Sequence, residues 1–112
     1  MTGFPYDVKI KSDNLVHFSN FLLSSQAVRR LGSAATDLAW VAAGRFDGFW
    51  EPRLGAWDMC AGTVLVREAG GTVTNYVGGK FSIYEKEILA SNGAIHPAMM
   101  EVLTRTQIAT GA

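Results

Sequence analysis

Three short stretches of the chain carry residues that could bind a polar or ionic ligand, and the first is built around Asp58. This residue opens an apolar run of small residues that is typical of a helix, so its carboxylate would lie in the first turn. There it faces unsatisfied backbone N–H groups and the positive end of the helix dipole, which favour the ionised form. An ionised carboxylate is a hard oxygen ligand suited to magnesium. The position is equally typical of a helix cap, and the local sequence leaves both interpretations open.

The second and third stretches are a helix start at Gly32, Ser33 and Ala34, and the acid Glu51. Backbone N–H groups at such a small-residue helix start can contact a polar or anionic ligand without obstruction. A helix cap in a tight strand-to-helix turn would explain the same residues. Glu51 ends an aromatic strand, and ligands collect at strand ends in open α/β sheets. A solvated acid at a strand end would look the same in sequence.

The elements that must position these residues alternate between helical and extended patterns. Four segments have the apolar spacing or the start and stop signals of helices: 13–26, 33–44, 58–69 and one opened by Pro97. Three longer segments and one short one are predicted to be extended: 46–51, 72–76, 88–91 and 28–31. This alternation predicts an α/β fold in which a mixed sheet is layered with helices.

The composition restricts the class of protein. A chain of 112 residues, 48% of them hydrophobic, is long enough for one domain with one core. Ten basic residues balance ten acidic ones, so no overall field attracts nucleic acid or an anionic membrane. No apolar run approaches the roughly 20 residues that span a bilayer, and the first residues show no secretion-signal pattern. We therefore expect neither a nucleic-acid partner nor a membrane partner.

The remaining reactive side chains give little support to other chemistries. Cys60 is the single cysteine, and its apolar neighbours predict a small buried side chain in a protein of the reducing cytoplasm. His17 and His96 have no metal-ligand spacing with each other or with Cys60, which argues against zinc. Neither Ser24–Ser25 nor Ser33 has a nearby His–acid arrangement in the sequence, which argues against a serine nucleophile.

Four further residues are assigned structural roles. Trp40, Trp50 and Trp57 have apolar neighbours and no interleaved basic patch, which favours core or interface packing over stacking on bases. Asp37 interrupts the apolar stretch of the second helix. We expect its carboxylate to hold a neighbouring loop through a hydrogen bond.

Residues 57–71, which run from Trp-Asp to Glu-Ala-Gly-Gly, resemble the C-terminal signature of the inositol monophosphatase family. Three more stretches resemble the same family in the same order: 2–6, 29–35 and 46–51. Together they place residues 1–112 on the C-terminal half of that family's fold. The family's Gly-Glu-Glu segment and its Asp-Pro-x-Asp-Gly-Thr-like loop, which supply most metal ligands, do not occur in this sequence.

The resemblance implies a Mg²⁺-dependent hydrolysis of a phosphomonoester, with myo-inositol monophosphate as the favoured substrate. It implies that Asp58 is a metal ligand, that the backbone at Gly32, Ser33 and Ala34 contacts the substrate's hydroxyl-bearing ring, and that Glu51 accepts a hydrogen bond from a substrate hydroxyl. Without the other ligands we expect this chain alone to be inactive. Two alternatives remain: a related sugar or nucleotide phosphatase, and a non-catalytic interaction or regulatory piece.

The apolar pattern also predicts self-association. The helix that starts at Asp58 carries apolar residues around most of its circumference, and the strand over residues 46–51 adds three aromatic side chains. One core of this size cannot easily cover all of these faces, and large exposed apolar patches usually mark an interface. We expect a homo-oligomer, most simply a two-fold dimer.

Overall fold

The computed structural model describes residues 1–3, 13–52, 54–84 and 87–105. Its helices and strands follow in the order α1 (Asp13–Ser24), α2 (Ala34–Ala42), β1 (Gly48–Glu51), α3 (Ala56–Glu68), β2 (Thr72–Thr74), β3 (Ile88–Ser91) and α4 (His96–Leu103). The four predicted helices and the three longer predicted strands are all present, with bounds shifted by a few residues. The short segment 28–31 forms no strand. In sequence, Ser12 or Asp13 would be the N-cap of the first helix, and Ser12 lies outside the described residues.

The three strands form one sheet with the order β1-β3-β2, and both pairings are antiparallel. Ser91 of the central strand β3 pairs with Gly48 of β1 on one side and with Thr72 of β2 on the other. A parallel bridge joins Thr2 to Trp50 at the outer edge of β1. The backbone N–H of Trp50 donates to the carbonyl of Met1 at 3.1 Å, which makes this edge of the sheet mixed.

Helices cover both faces of the sheet. Alternate residues of a strand point to opposite faces, so neighbouring residues of β1 pack against different helices. Phe49 packs into one core cluster with Leu38 of α2 and Met59 of α3. The next residue, Trp50, packs into a second cluster with Phe21 of α1 and Met99 of α4. The result is a layered α/β arrangement of helices, sheet and helices, which agrees with the predicted fold class.

Close contact between α2 and α3 depends on a glycine. A side chain at Gly62 would place its Cβ 2.5 Å from Cδ1 of Leu38, so only glycine allows this approach. Met59, Gly62, Thr63 and Val66 are the buried residues of α3, and their spacing of three and four residues defines its inner face.

One prediction about α3 was wrong, and one alternative for another residue is excluded. Cys60 is exposed, although its apolar neighbours predicted burial. It follows Met59 in the helix and therefore falls outside the inner face. Trp57 is 96% exposed and packs into neither core, so interface packing is the predicted role that remains for it. Trp50 is 2% exposed and is a core residue, which is one of the two predicted roles. Trp40 stacks on Phe46 with ring centroids 5.4 Å apart.

None of the helices in the described part of the chain is long and apolar enough to cross a membrane.

Candidate functional site

The start of α2 has the geometry of a capped helix. Ser33 is the N-cap, with φ −139° and ψ 109°, and its hydroxyl accepts a hydrogen bond from the N–H of Thr36 at 3.3 Å. Gly32 precedes it with φ +85°, a backbone conformation that favours glycine. Gly32 and Ser33 are exposed and Ala34 is half-buried. The predicted cap is present, and the first turn remains accessible to a ligand.

The start of α3 places Asp58 in the third helical position. Its Oδ2 atom accepts a hydrogen bond from the backbone N–H of Gly55 at 3.2 Å. Gly55 has no side chain to cap the helix, so this bond is the side-chain contribution to the cap. Asp58 is exposed, and one such bond leaves acceptor capacity on its carboxylate. The geometry is therefore compatible with capping and with binding a cation.

Glu51 lies at the end of β1 and is buried, with 9% of its surface exposed. It is therefore not a solvated acid at a strand end. Burial has the largest effect on the pKa of Glu51, and with the negative charges of Asp37 and Asp58 it raises this pKa to about 7 against the opposing effect of Arg30. The charge of Asp58, on α3, therefore influences the protonation of Glu51.

Asp37 belongs to the same electrostatic neighbourhood and was not recognised as a site residue. It is 1% exposed, and neither carboxylate oxygen has a hydrogen-bond partner within the described ranges. The expected hydrogen bond to a loop is thus not found there, and the carboxylate is buried near the charges of the N-terminal amine and Glu51. Burial raises the pKa of Asp37 to about 6, opposed by the N-terminal amine. An acid within an apolar helical stretch was the only sequence signal.

The described residues do not complete a magnesium site. Across residues 1–3, 13–52, 54–84 and 87–105, no group of three or more His, Cys, Asp or Glu side chains is placed to hold a metal ion. Magnesium takes six oxygen ligands in near-octahedral geometry and usually retains several waters. Asp58 can supply one of these ligands, and the other protein ligands would have to come from elsewhere.

A buried hydrogen-bonded chain through His96 was also missed by the sequence analysis. Nδ1 of His96 lies 2.7 Å from the Ser91 hydroxyl, and Nε2 lies 2.8 Å from the Thr74 hydroxyl. Both ring nitrogens are therefore engaged, which leaves none for a metal. Ser91 is fully buried, so this serine–histidine pair is not accessible as a nucleophile.

A separate cavity of about 630 Å³ lies on the other side of the sheet. Phe21, Trp50, Met99 and Val102 contribute apolar walls. None of the site residues predicted from the sequence lines this cavity, so the candidate site and the cavity are distinct regions.

Comparisons with known proteins extend over nearly the whole chain. The Inositol monophosphatase family model matches residues 2–108. An Inositol-1-monophosphatase from Synechocystis is 47% identical over 107 residues, which cover 95% of this chain and 37% of that protein. The Escherichia coli Nus factor SuhB is 45% identical over 100 residues, covering 88% of this chain and 38% of that protein.

The structural comparison agrees with the sequence comparison. The solved structure of an inositol monophosphatase from Anabaena superposes with a TM-score of 0.91 at 44% identity, covering 96% of this chain and 43% of that one. The chain thus spans about two fifths of the length of these relatives. On the family match and the superposition together, the chain belongs to the inositol monophosphatase family.

Proposed function

We propose that this chain is the C-terminal, substrate-binding part of a Mg²⁺-dependent phosphomonoesterase that hydrolyses myo-inositol monophosphate to inositol and phosphate. The observation that carries the proposal is a buried acid, Glu51, coupled electrostatically to an exposed carboxylate, Asp58, at a helix start. Perturbed acids of this kind concentrate at functional sites. The names of the Synechocystis and Anabaena relatives support the choice of substrate.

Each predicted site residue has a role consistent with its surroundings. The backbone at Gly32, Ser33 and Ala34 binds the hydroxyl-bearing ring, because the accessible first turn of α2 presents N–H groups there. Glu51 accepts a hydrogen bond from a substrate hydroxyl in its ionised form, which is substantially populated near pH 7. Burial restricts this carboxylate to few orientations.

Asp58 is the ligand that this chain contributes to magnesium. When bound, the ion supplies charge neutralisation at the phosphate and a water of lowered pKa. Carboxylates outside this chain supply the remaining protein ligands, so the chain alone has near-zero turnover.

A chimera tests this function. The chain replaces the matching portion of the Synechocystis Inositol-1-monophosphatase, and phosphate release from myo-inositol 1-phosphate is measured with and without magnesium. We expect magnesium-dependent turnover in the chimera and none from the chain alone. Enzyme-like turnover by the chain alone, at about 1 per second or faster, would show that the missing ligands are not needed. An inactive but folded chimera would contradict the proposed site.

Substrate preference is tested with the same chimera. Fructose bisphosphate, a nucleotide 3′-phosphate and histidinol phosphate are compared with myo-inositol 1-phosphate by kcat/KM. We expect the inositol ester to be preferred, because the contacts proposed for Glu51 and the α2 backbone are with the hydroxyl groups of the substrate's ring. A higher kcat/KM for a nucleotide or a sugar bisphosphate would assign the site to a related phosphatase.

A second candidate is a non-catalytic interaction or regulatory piece. The exposed apolar residues Trp57, Val64 and Leu65 on α3 favour it, as does similarity to a protein named Nus factor SuhB. Such a piece would bind a partner through α3 without needing Asp58 as a ligand. We propose the cytoplasm as the compartment for either function, since the single cysteine is a free thiol.

A further inference from the structure

The first three residues of the chain lie directly against the candidate site. A Cβ atom built on Gly3 would overlap Oε1 of Glu51 and lie 2.8 Å from its Cδ atom. Gly3 is not among the glycines with positive φ in the described chain, so a side chain here would displace the Glu51 carboxylate without straining the backbone. The carboxylate of Glu51 therefore occupies the volume that any side chain at position 3 would fill.

A buried hydrogen-bond network fixes the backbone at Gly3. Nδ2 of Asn14 donates to the carbonyl oxygen of Gly3 at 2.6 Å. The same nitrogen lies 3.2 Å from the hydroxyl of Thr2, which in turn donates to the carbonyl of Trp50 at 2.7 Å. Asn14 and Thr2 are fully buried.

The orientation of the Asn14 amide is determined by Trp50. The indole Nε1–H can only donate, and it donates to Oδ1 of Asn14 at 2.8 Å. Nδ2 must then face Gly3 and Thr2. Since Trp50 directly precedes Glu51 in β1, one network holds both the strand that carries the acid and the backbone against which the acid packs.

We propose that Gly3 is a positioning residue for Glu51. The Asn14–Thr2–Trp50 network fixes the Gly3 backbone, and the carboxylate of Glu51 packs against this backbone in one orientation. The substrate consequence rests on the proposed role of Glu51. Glu51 accepts a hydrogen bond from the substrate hydroxyl only if its carboxylate stays in this buried position against Gly3. The inference gives a function to residues 2–3, which belong to a stretch of family resemblance with no assigned role.

The charged groups around Glu51 come from three elements. Asp37 lies on α2, Asp58 lies on α3, and Arg30 lies in the segment before α2. Burial by the surrounding chain has a larger effect on the pKa of Glu51 than any of these charges. A Cβ at position 3 forces the carboxylate out of its buried seat. Because burial is lost, the protonation midpoint of Glu51 must fall toward the ordinary value of glutamate.

The test is a titration of the Glu51 carboxyl carbon by ¹³C NMR in this chain, with the resonance assigned by Glu51→Gln. We expect a lower midpoint in Gly3→Ala than in the wild type. Thr2→Val, which keeps the side-chain shape but loses the hydroxyl, should also lower the midpoint. Thr2→Ser, which keeps the hydroxyl, should retain the wild-type value. Val73→Ala on β2, at the opposite edge of the sheet, controls for a general loss of stability and should leave the midpoint unchanged.

A folded Gly3→Ala chain with the wild-type midpoint overturns the inference. If Gly3→Ala does not fold, the Thr2 pair decides, and equal midpoints in Thr2→Val and Thr2→Ser overturn it. The same substitutions in the Synechocystis chimera separate this inference from the proposed function. A shifted midpoint with an unchanged KM for myo-inositol 1-phosphate supports the positioning role of Gly3 and removes the substrate role of Glu51. A shifted midpoint with a raised KM supports both.

Discussion

At the scale of single residues, the site combines two buried acids with one exposed acid. Glu51 and Asp37 are buried, and burial raises their pKa values to about 7 and about 6. Asp58 is exposed at the start of α3 and already bonds the backbone of Gly55. The buried pair can therefore change protonation near neutral pH, while Asp58 stays accessible to a cation.

The first residue-scale prediction concerns Glu51→Gln. The folded-state pKa of about 7 lies above the ordinary value of 4.5, so the folded chain binds this proton more tightly than the unfolded chain does. The free energy of unfolding should then fall as pH rises between these values, because an ionised Glu51 is costly to bury. Glu51→Gln removes that cost. We expect the free energy of unfolding of the variant, relative to the wild type, to increase by roughly 1–3 kcal/mol as the pH rises from 4 to 8. Urea unfolding at each pH measures this difference.

Asp37 contributes a slope of the same sign to both proteins, so the difference between wild type and Glu51→Gln reports on Glu51 and its coupling to Asp37. A difference that stays constant across this pH range would mean that Glu51 has an ordinary pKa.

At the scale of elements, His96 ties the start of α4 to β2 and β3. The Thr74 hydroxyl donates to the carbonyl of Asn75 at 2.7 Å, so it must accept from Nε2–H of His96. Nδ1 is then unprotonated and accepts from the hydroxyl of Ser91, which also accepts from the N–H of Gly93 at 3.0 Å. The network therefore fixes a neutral imidazole protonated at Nε2.

We predict that this link weakens in mild acid. Burial lowers the pKa of His96 below its ordinary value of 6.5, so the unfolded chain binds the proton more tightly than the folded chain. The contribution of the neutral ring is complete above pH 6.5 and is lost as pH falls below it. His96→Asn should flatten this part of the stability curve. Long-range ¹H–¹⁵N spectra should show a protonated Nε2 and an unprotonated Nδ1 at pH 7, and the opposite pattern would contradict the assignment.

The elements themselves were predictable because their signals are local. Ser33 and Gly44 delimit α2 in sequence and in structure, and Pro97 lies in the first turn of α4. The burial of Glu51 was not predictable, because it depends on contact with Gly3, 48 positions earlier in the chain. The exposure of Cys60 depends on what packs against α3. Strand order and the Thr2–Trp50 bridge are likewise set by distant segments.

At the scale of the whole molecule, apolar surface remains exposed on α3. Trp57 is 96% exposed, Val64 58% and Leu65 48%. These residues share one helix, and exposed apolar patches of this kind favour association. They lie outside the two core clusters that close on the sheet.

We therefore predict that the isolated chain forms a homo-oligomer, most simply a dimer, or is poorly soluble. Sedimentation over a wide concentration range measures this. Replacing Val64 and Leu65 by lysine should shift the equilibrium toward monomer, because burying two ammonium groups in an interface is costly. Val77→Lys is the matched control, since Val77 is 81% exposed outside α3. A well-folded monomer that binds no hydrophobic dye at any concentration would show that the chain needs no partner.

Whether Asp58 is a metal ligand or only a helix cap is decided most directly by Asp58→Asn in the Synechocystis chimera. Asparagine keeps the size of the side chain and can still accept the hydrogen bond from Gly55, so the free energy of unfolding should change by less than about 1 kcal/mol. Magnesium-dependent phosphate release from myo-inositol 1-phosphate should fall by orders of magnitude, because the ionised ligand is gone. Wild-type activity of Asp58→Asn at limiting magnesium would contradict the metal-ligand role and leave Asp58 as a cap.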